Sequence, residues 1–307
     1  MFFIRLLIRR VVLLVALLAT VFAVVDVLPG NAARAVLGRD ATADQVAAKE
    51  HELGLDRPLP VRFLEWISGV ATGDFGRTAR GRSINDLLAD KFPPTLLLGG
   101  LAFLVTVVVS LLLGGWWAAR RGFATRFLQP TTTAAAAIPE FVIATLLILM
   151  FSSGLGWLPA VTITGRSGFP ASPDMLVLPV LALAIPQIGW NTRVVRAALL
   201  DSARSPHVES AVLDGLSTTI VLIRHVLPFA LPTIVASFGT TVGMLLGGAL
   251  VVETIFNYPG LGAVLAGSVA DRDTSLIAAV VALTGVVIMA MLALADGIRA
   301  RAARGRI

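Results

Sequence analysis

Residues 95–119 read TLLLGGLAFLVTVVVSLLLGGWWAA, which is 25 consecutive residues without a charged side chain. A helix that crosses a bilayer needs about 20 predominantly apolar residues, so this stretch is long enough to span a membrane. Trp116 and Trp117 stand at its end, where aromatic rings are typical of the lipid headgroup region. The stretch therefore predicts a membrane-spanning helix with an aromatic belt.

Five further apolar stretches of similar length lie on either side of this one. The six candidate spans are 11–28, 95–119, 134–153, 175–192, 229–254 and 276–295. The fourth is interrupted by Pro179 and Pro186, which membrane helices tolerate when neighbouring groups satisfy the freed carbonyls. The chain is 56% hydrophobic and 14% charged, whereas about a quarter of the residues in soluble domains are charged. We expect an all-α, polytopic membrane protein with six transmembrane helices.

Basic residues flank the apolar stretches. If the N-terminus is cytoplasmic, 14 of the 25 basic residues fall in cytoplasmic segments, and the two short outer loops hold only Arg166 and Arg272. The positive-inside rule then predicts that both termini are cytoplasmic. The net charge of +6 thus follows from topology, and we expect no nucleic-acid partner. The first span, preceded by Arg5, Arg9 and Arg10, is expected to stay uncleaved, because it is long for a signal-peptide core.

The polar segment between the first two spans carries helix signals of its own. Thr42 and Gln45 have the spacing of a capping box, and Gly54 is placed to end the helix that the box begins. Pro60 suits the first turn of a second helix, and residues 83–91 are a candidate third helix. We expect a small helical cap on the extracytoplasmic side.

The sequence contains no pattern for a catalytic or metal site. Neither lysine, Lys49 or Lys91, follows a glycine-rich phosphate loop, no G-x-S-x-G motif occurs, and the absence of cysteine excludes thiolate chemistry. We expect no catalytic residue, metal ligand or bound cofactor in this chain. Glu140, an acid within the third apolar stretch, leaves an ion-coupled secondary transporter as an alternative. The other interpretation of Glu140 is an interfacial residue where the span begins.

A second polar segment, 193–228, has the signals of one short helix. Ser205 and Pro206 are a helix start, and Gly215 is a helix stop. A helix of this length is not stable in water by itself. We therefore expect it to lie against the bilayer surface or a partner protein.

The same segment carries a spaced motif. Glu209-Ser210-Ala211 is followed after three residues by Gly215 and after nine more by His225-Val226-Leu227-Pro228. This resembles the EAA loop of ABC importer permeases, E-A-A-x3-G-x9-I-x-L-P, with departures at Ser210 and His225. The resemblance implies a loop that couples to a cytosolic ATPase. The candidate coupling residues are Pro206, His207, Glu209, Ser210, Ala211, Asp214, Gly215, His225 and Pro228.

Three further stretches are similar to the dipeptide/oligopeptide branch of these permeases. Leu28-Pro29-Gly30-Asn31 resembles its L-P-G-D-P motif, and LGLDRP at 53–58 with GDFGR at 73–77 resembles its first external loop. The stretch 247–262, which contains Glu253, resembles its V-E-x-x-F-x-x-P-G-L-G segment. The markers occur in the family's order from residue 28 to residue 262, so the resemblance covers most of the chain.

The resemblance implies one permease subunit of an ATP-driven importer in the bacterial inner membrane. The implied partners are a second homologous permease, two cytosolic ATPases that bind ATP and Mg²⁺, an extracytoplasmic substrate-binding protein, a di- or oligopeptide substrate, and membrane lipid. Sister permeases are associated with nickel chelates, glutathione and other small solutes, so these substrates remain alternatives.

The expected divisions of the chain are 1–28 for the N-terminus and first span, 29–94 for the outer loop, and 95–307 for a five-helix core with the coupling loop. The candidate pathway-lining residues are Pro139, Glu140, Gly247, Gly248 and Glu253. Gly247 and Gly248, like Gly260 and Gly262, could instead serve close helix packing or turn formation.

Overall fold

The computed structural model describes residues 2–27, 32–38, 40–120 and 122–304, with side chains at 8–27, 32–38, 40–120, 122, 125–298 and 300. The motif at 28–31 lies outside the described residues. Within them, regular structure is helical apart from two isolated β-bridges, which confirms the all-α prediction. The α-helices are α1 (Phe2–Val27), α2 (Ala32–Leu37), α3 (Ala43–Glu52), α4 (Leu59–Ala71), α5 (Ile84–Ala119), α6 (Phe123–Ala137), α7 (Glu140–Leu147), α8 (Val177–Ala203), α9 (Pro206–Leu213), α10 (Thr218–Ile220), α11 (Leu227–Ile255), α12 (Leu261–Ala270) and α13 (Thr274–Arg304). A 3₁₀ turn, Pro173–Leu176, precedes α8, and π-helical segments occur at Ile148–Gly154 and Val221–Val226.

Five helical segments in the described chain are long and apolar enough to cross a membrane, and a broken pair makes a sixth candidate. The five are Ile8–Val27, Ile84–Ala119, Pro173–Ala203, Thr218–Ile255 and Thr274–Ile298. The sixth consists of Thr125–Ala137 and Glu140–Gly154, which meet at a bend of 103°. Pro139 causes the break, because a proline lacks an N–H and keeps the preceding residue out of the helical region; Ile138 is accordingly extended.

Two local predictions are wrong. Residues 83–91 do not form a separate helix, because α5 runs unbroken through Pro93 and Pro94 over 36 residues. The prolines at 179 and 186 do not interrupt the fourth span either. Pro179 lies in the first turn of α8, where a missing N–H removes no helical bond, and the helix continues through Pro186 to Ala203.

One compact unit comprises Met1–Thr95 and Pro259–Met289, and it contains the predicted helices of the polar segment. The Thr42 side chain accepts from the Gln45 amide, and the Gln45 side chain accepts from the Thr42 amide at 3.0 Å. Gly54 follows α3 with φ +65°, and Pro60 lies in the first turn of α4. The capping box, the glycine stop and the proline start are therefore all confirmed.

The start of α13 is tied to a turn of the same unit. The buried Asp273 carboxylate accepts from the backbone amides of Ala79 and Leu276, and Arg80 donates twice to Asp271 at 2.8 Å. Burial raises the pKa of Asp273, while its two amide bonds oppose that shift. These bonds fix the turn onto the entry to α13.

The second unit comprises Leu96–Tyr258 and Ala290–Ile307. Its core is apolar and is drawn from α5, α7, α8 and α11, with Leu98, Ile143, Leu183, Leu245 and Val252 among its buried members. Small residues let these helices approach closely. A Cβ built on Gly189 of α8, for example, would lie 2.6 Å from the carbonyl oxygen of Thr132 on α6.

Candidate functional site

The helix α9 is bounded as the sequence predicts. It begins directly after the extended residue Ser205 with Pro206 in its first turn, and Asp214 caps its end. Gly215 follows with φ +76°, and a Cβ at this position would meet nothing within 4 Å. The position therefore needs the left-handed backbone that glycine adopts without strain, and not the space that a missing side chain provides.

The inner face of α9 is apolar and buried. Val208 and Ala211 pack with Val221 and Val226 of the π-helical segment, and Leu199 of α8 packs against the same cluster. The spacing of three residues between Val208 and Ala211 places both on one face of the helix. The cluster thus joins α9 to the end of α8 and to the chain that enters α11.

A histidine makes a second connection across the motif. His207 Nε2 donates to the carbonyl oxygen of His225 at 3.0 Å, and its ring centroid lies 4.3 Å from that of Phe229. The start of α9 is therefore fixed to the residues that precede and begin α11. Both halves of the spaced motif are held together by direct contact.

The outer face of α9 presents apolar and acidic groups together. Glu209, Ser210 and Asp214 are exposed, and Leu213 and Val212 are 81% and 57% exposed. Large apolar side chains exposed beside charges are typical of a protein interaction surface. The structure therefore places Pro206, His207, Glu209, Ser210 and Ala211 on one small two-faced helix, with Asp214 and Gly215 at its end. His225 and Pro228 lie in the segment that enters α11.

Glu140 and Gly248 meet at the break in the third span. Glu140 is the first residue of α7, directly after Pro139. A Cβ on Gly248 would lie 3.1 Å from Glu140 Oε1 and 3.2 Å from Leu183 Cδ2. The Glu140 carboxyl thus lies against the backbone of α11, whereas Gly247 faces open space.

Glu253 lies in a buried corner where α11 ends. The Tyr258 amide donates to the Glu253 carbonyl at 2.8 Å, and both residues are fully buried. Burial, and then the Glu253 carboxylate, raises the pKa of Tyr258. The Thr162 amide donates to the Phe256 carbonyl at 2.7 Å, so the loop after α7 is fastened to this corner.

Sequence reasoning missed two polar contacts in the second unit. Asn191 of α8 donates to Thr241 Oγ1 at 2.8 Å and accepts from Ser237 Oγ at 2.7 Å, so it joins α8 to α11. The aromatic-belt interpretation is wrong for Trp117, which is 2% exposed and has the guanidinium of Arg196 at 4.3 Å from its ring centroid. An asparagine within an apolar run signals the first contact, but no local pattern signals the second.

Two family models cover this chain. Residues 110–306 match the model described as "Binding-protein-dependent transport system inner membrane component", and residues 1–99 match its N-terminal companion. The chain belongs to this family. It is a permease of the binding-protein-dependent ABC importers, and this membership decides against the ion-coupled alternative.

Curated relatives agree with this assignment, and a solved structure shares the fold. The permease is 31% identical over 282 residues, 90% of each chain, to a protein of Sinorhizobium fredii named as a probable peptide ABC transporter permease. It is 33% identical over 261 residues to the glutathione transport system permease protein GsiC of Escherichia coli, covering 84% of this chain and 83% of that one. The inward-facing MetNI methionine ABC transporter has a similar fold, with a TM-score of 0.55 at 19% identity over 70% of this chain and 96% of that one.

Replacing Gly248 with alanine should destabilise the permease, because the added methyl group would crowd Glu140 and Leu183. Both glycine variants share the helix-propensity gain of alanine, so the comparison is between them. We expect the free energy of unfolding of Gly248→Ala to be about 1 kcal/mol below that of Gly247→Ala, the low end of overpacking costs, seen as a lower melting temperature in detergent. Gly247→Ala is the matched control on the same helix and has open space, so it should not destabilise. Adding Glu140→Ala should recover part of the loss at Gly248. Equal melting temperatures for the two glycine variants would contradict this packing account.

Proposed function

We propose that this permease forms the translocation pathway of an ATP-driven importer of small peptides, with α9 as the element that partner ATPases move. The relatives support peptide chemistry as the substrate class, because one is named for peptides and another for glutathione, itself a small peptide. A glutathione importer is the second candidate, on the strength of the GsiC relative. Nickel chelates and other small solutes have no support among these relatives.

The observation that carries the proposal is the two-faced geometry of α9. Eight residues are too few for a stable isolated helix, so the buried inner face holds α9 in place. The residues under this inner face include Leu199 of α8 and Val226, which directly precedes α11. Force applied to the exposed outer face is therefore delivered to two membrane helices at once.

The proposed assembly has a second homologous permease, two cytosolic ATPases that bind ATP and Mg²⁺, and an extracytoplasmic substrate-binding protein. Both termini and α9 lie in the cytoplasm, and residues 29–94 lie outside. The distribution of arginines supports this orientation. The pathway would run beside the break at Pro139 and Glu140, near Gly247, Gly248 and the corner at Glu253.

Reconstitution tests the proposal. The chain is co-expressed with a second permease, ATPases and a substrate-binding protein of this family from the same organism, and the complex is placed in proteoliposomes. We expect uptake of labelled di- and tripeptides that requires ATP, and no ATP hydrolysis by the isolated chain. Uptake of glutathione but of no other di- or tripeptide would overturn the general peptide assignment alone and favour the second candidate. Uptake without the ATPases would overturn the whole proposal.

A further inference from the structure

A cavity of about 390 Å³ lies in the second unit, where α5 ends and α6 and α8 run beside it. Polar and aromatic side chains line it, namely Trp117, Gln129, Thr133, Trp190, Arg193 and Arg196. None of the coupling or pathway candidates belongs to its lining. The cavity is therefore separate from the coupling and pathway candidates.

The cavity is positively charged and contains a buried hydrogen-bond donor without a partner among the described residues. Arg193 and Arg196 lie one turn apart on α8, and no acid is among the described residues that line the cavity. Neither arginine forms an ion pair with another described residue. Arg196 Nε is buried and has no hydrogen-bond partner among the described residues. Because Trp117 holds the Arg196 guanidinium by stacking, the charge is fixed in position and suits an anion.

The cavity lies at one end of the membrane-spanning helices. Trp117 is close to the end of α5, and Gln129 is in the first half of α6. Trp190 is 48% exposed, as is common for tryptophan rings at the headgroup level. By the arginine distribution this is the cytoplasmic end, and basic pockets between helices at that depth suit anionic lipid headgroups.

We propose that this cavity binds the phosphate group of an anionic phospholipid of the inner leaflet. Arg193 and Arg196 hold the phosphate oxygens, and the exposed Trp190 ring packs against the glycerol. Since α8 continues from Arg196 to the turn before α9, the bound lipid braces the helix that leads into the coupling element. The lipid site depends on the cytoplasmic placement of this end of the helices, and it does not depend on which substrate is transported.

Lipid retention by the full-length chain tests this proposal. The chain is purified in detergent, exposed to phosphatidylglycerol or phosphatidylcholine, and its bound lipid is counted by native mass spectrometry. The wild type should retain phosphatidylglycerol preferentially. Arg193→Gln, at an exposed position, should reduce that retention about fivefold, the factor given by losing one arginine's attraction to anionic lipid. Arg126→Gln is the matched control, because Arg126 is an exposed arginine of α6 outside the cavity lining.

Further measurements distinguish a lipid site from misfolding, from diffuse surface charge and from a site for free phosphate. Equal retention in Arg193→Gln and wild type, or an equal loss in Arg126→Gln, would overturn the proposal. Melting curves must show that Arg193→Gln is folded, and Arg193→Lys should keep most of the retention. An excess of inorganic phosphate should not displace the lipid. If it does, the cavity takes free phosphate, and the lipid assignment is wrong.

Discussion

Replacing Gly215 with valine should abolish ATP-driven uptake while leaving membrane insertion and subunit assembly intact. Gly215 has φ +76°, a conformation that costs a residue with a Cβ roughly 1–2 kcal/mol. That cost is small for a fold with so many packed helices. The same cost is large for an eight-residue helix held by a few buried side chains. Such a helix can relieve the strain by ending at another residue and by shifting its packing against α8 and the π-helical segment.

The controls for Gly215 separate backbone strain from general damage. Gly168 has φ +82° and equally open surroundings, but it lies in the loop after α7, so Gly168→Val should keep uptake. Gly215→Asn should keep much of the activity, because asparagine tolerates the left-handed region better than other residues. Uptake by Gly215→Val at the wild-type rate in proteoliposomes would contradict the coupling role of this turn.

Reversing the charge at Glu209 should weaken the association between the permease and its ATPases. Glu209 is on the exposed outer face of α9, where it can pair with a basic group on a partner. We expect association to fall about tenfold at low salt, an effect of about 1.4 kcal/mol. The difference should shrink as salt rises, because exposed charges are screened over a Debye length of about 8 Å at physiological ionic strength.

The affinity of the purified ATPases for the permease in nanodiscs, measured at several salt concentrations, tests this effect. Asp174→Arg is the matched control, since Asp174 is also exposed but lies in the 3₁₀ turn before α8. It should bind as the wild type does. A loss in Glu209→Arg that is the same at all salt concentrations would argue for local misfolding of α9 instead of a lost charge contact.

Elements with local chemical signals were predictable from the sequence. A capping box, a left-handed glycine and a first-turn proline each act within a few residues, so the bounds of α3, α4 and α9 follow from Thr42, Gly54, Pro60, Pro206 and Gly215. Hydrophobic length likewise indicated the spans. These features depend on the backbone and on the solvent, and the distant parts of the chain do not alter them.

Features made by distant residues were not predictable in this way. Nothing near Glu140 in the sequence shows that its carboxyl lies against Gly248, and nothing near Trp117 shows that Arg196 stacks on it. The 103° bend follows Pro139, whereas Pro93, Pro94 and Pro186 lie inside continuous helices. Proline removes one bond in each case, and tertiary packing decides whether the helix continues.

Cross-linking from the outer face of α9 tests the central claim most directly. The chain has no native cysteine, so Leu213→Cys and Asp44→Cys each provide one site for a benzophenone label. In the assembled importer, the label at Leu213 should form an adduct with an ATPase subunit. The label at Asp44, which is exposed on α3, should not reach an ATPase and should react with the substrate-binding protein. Adducts from Leu213 with lipid alone, or from Asp44 with an ATPase, would contradict the account.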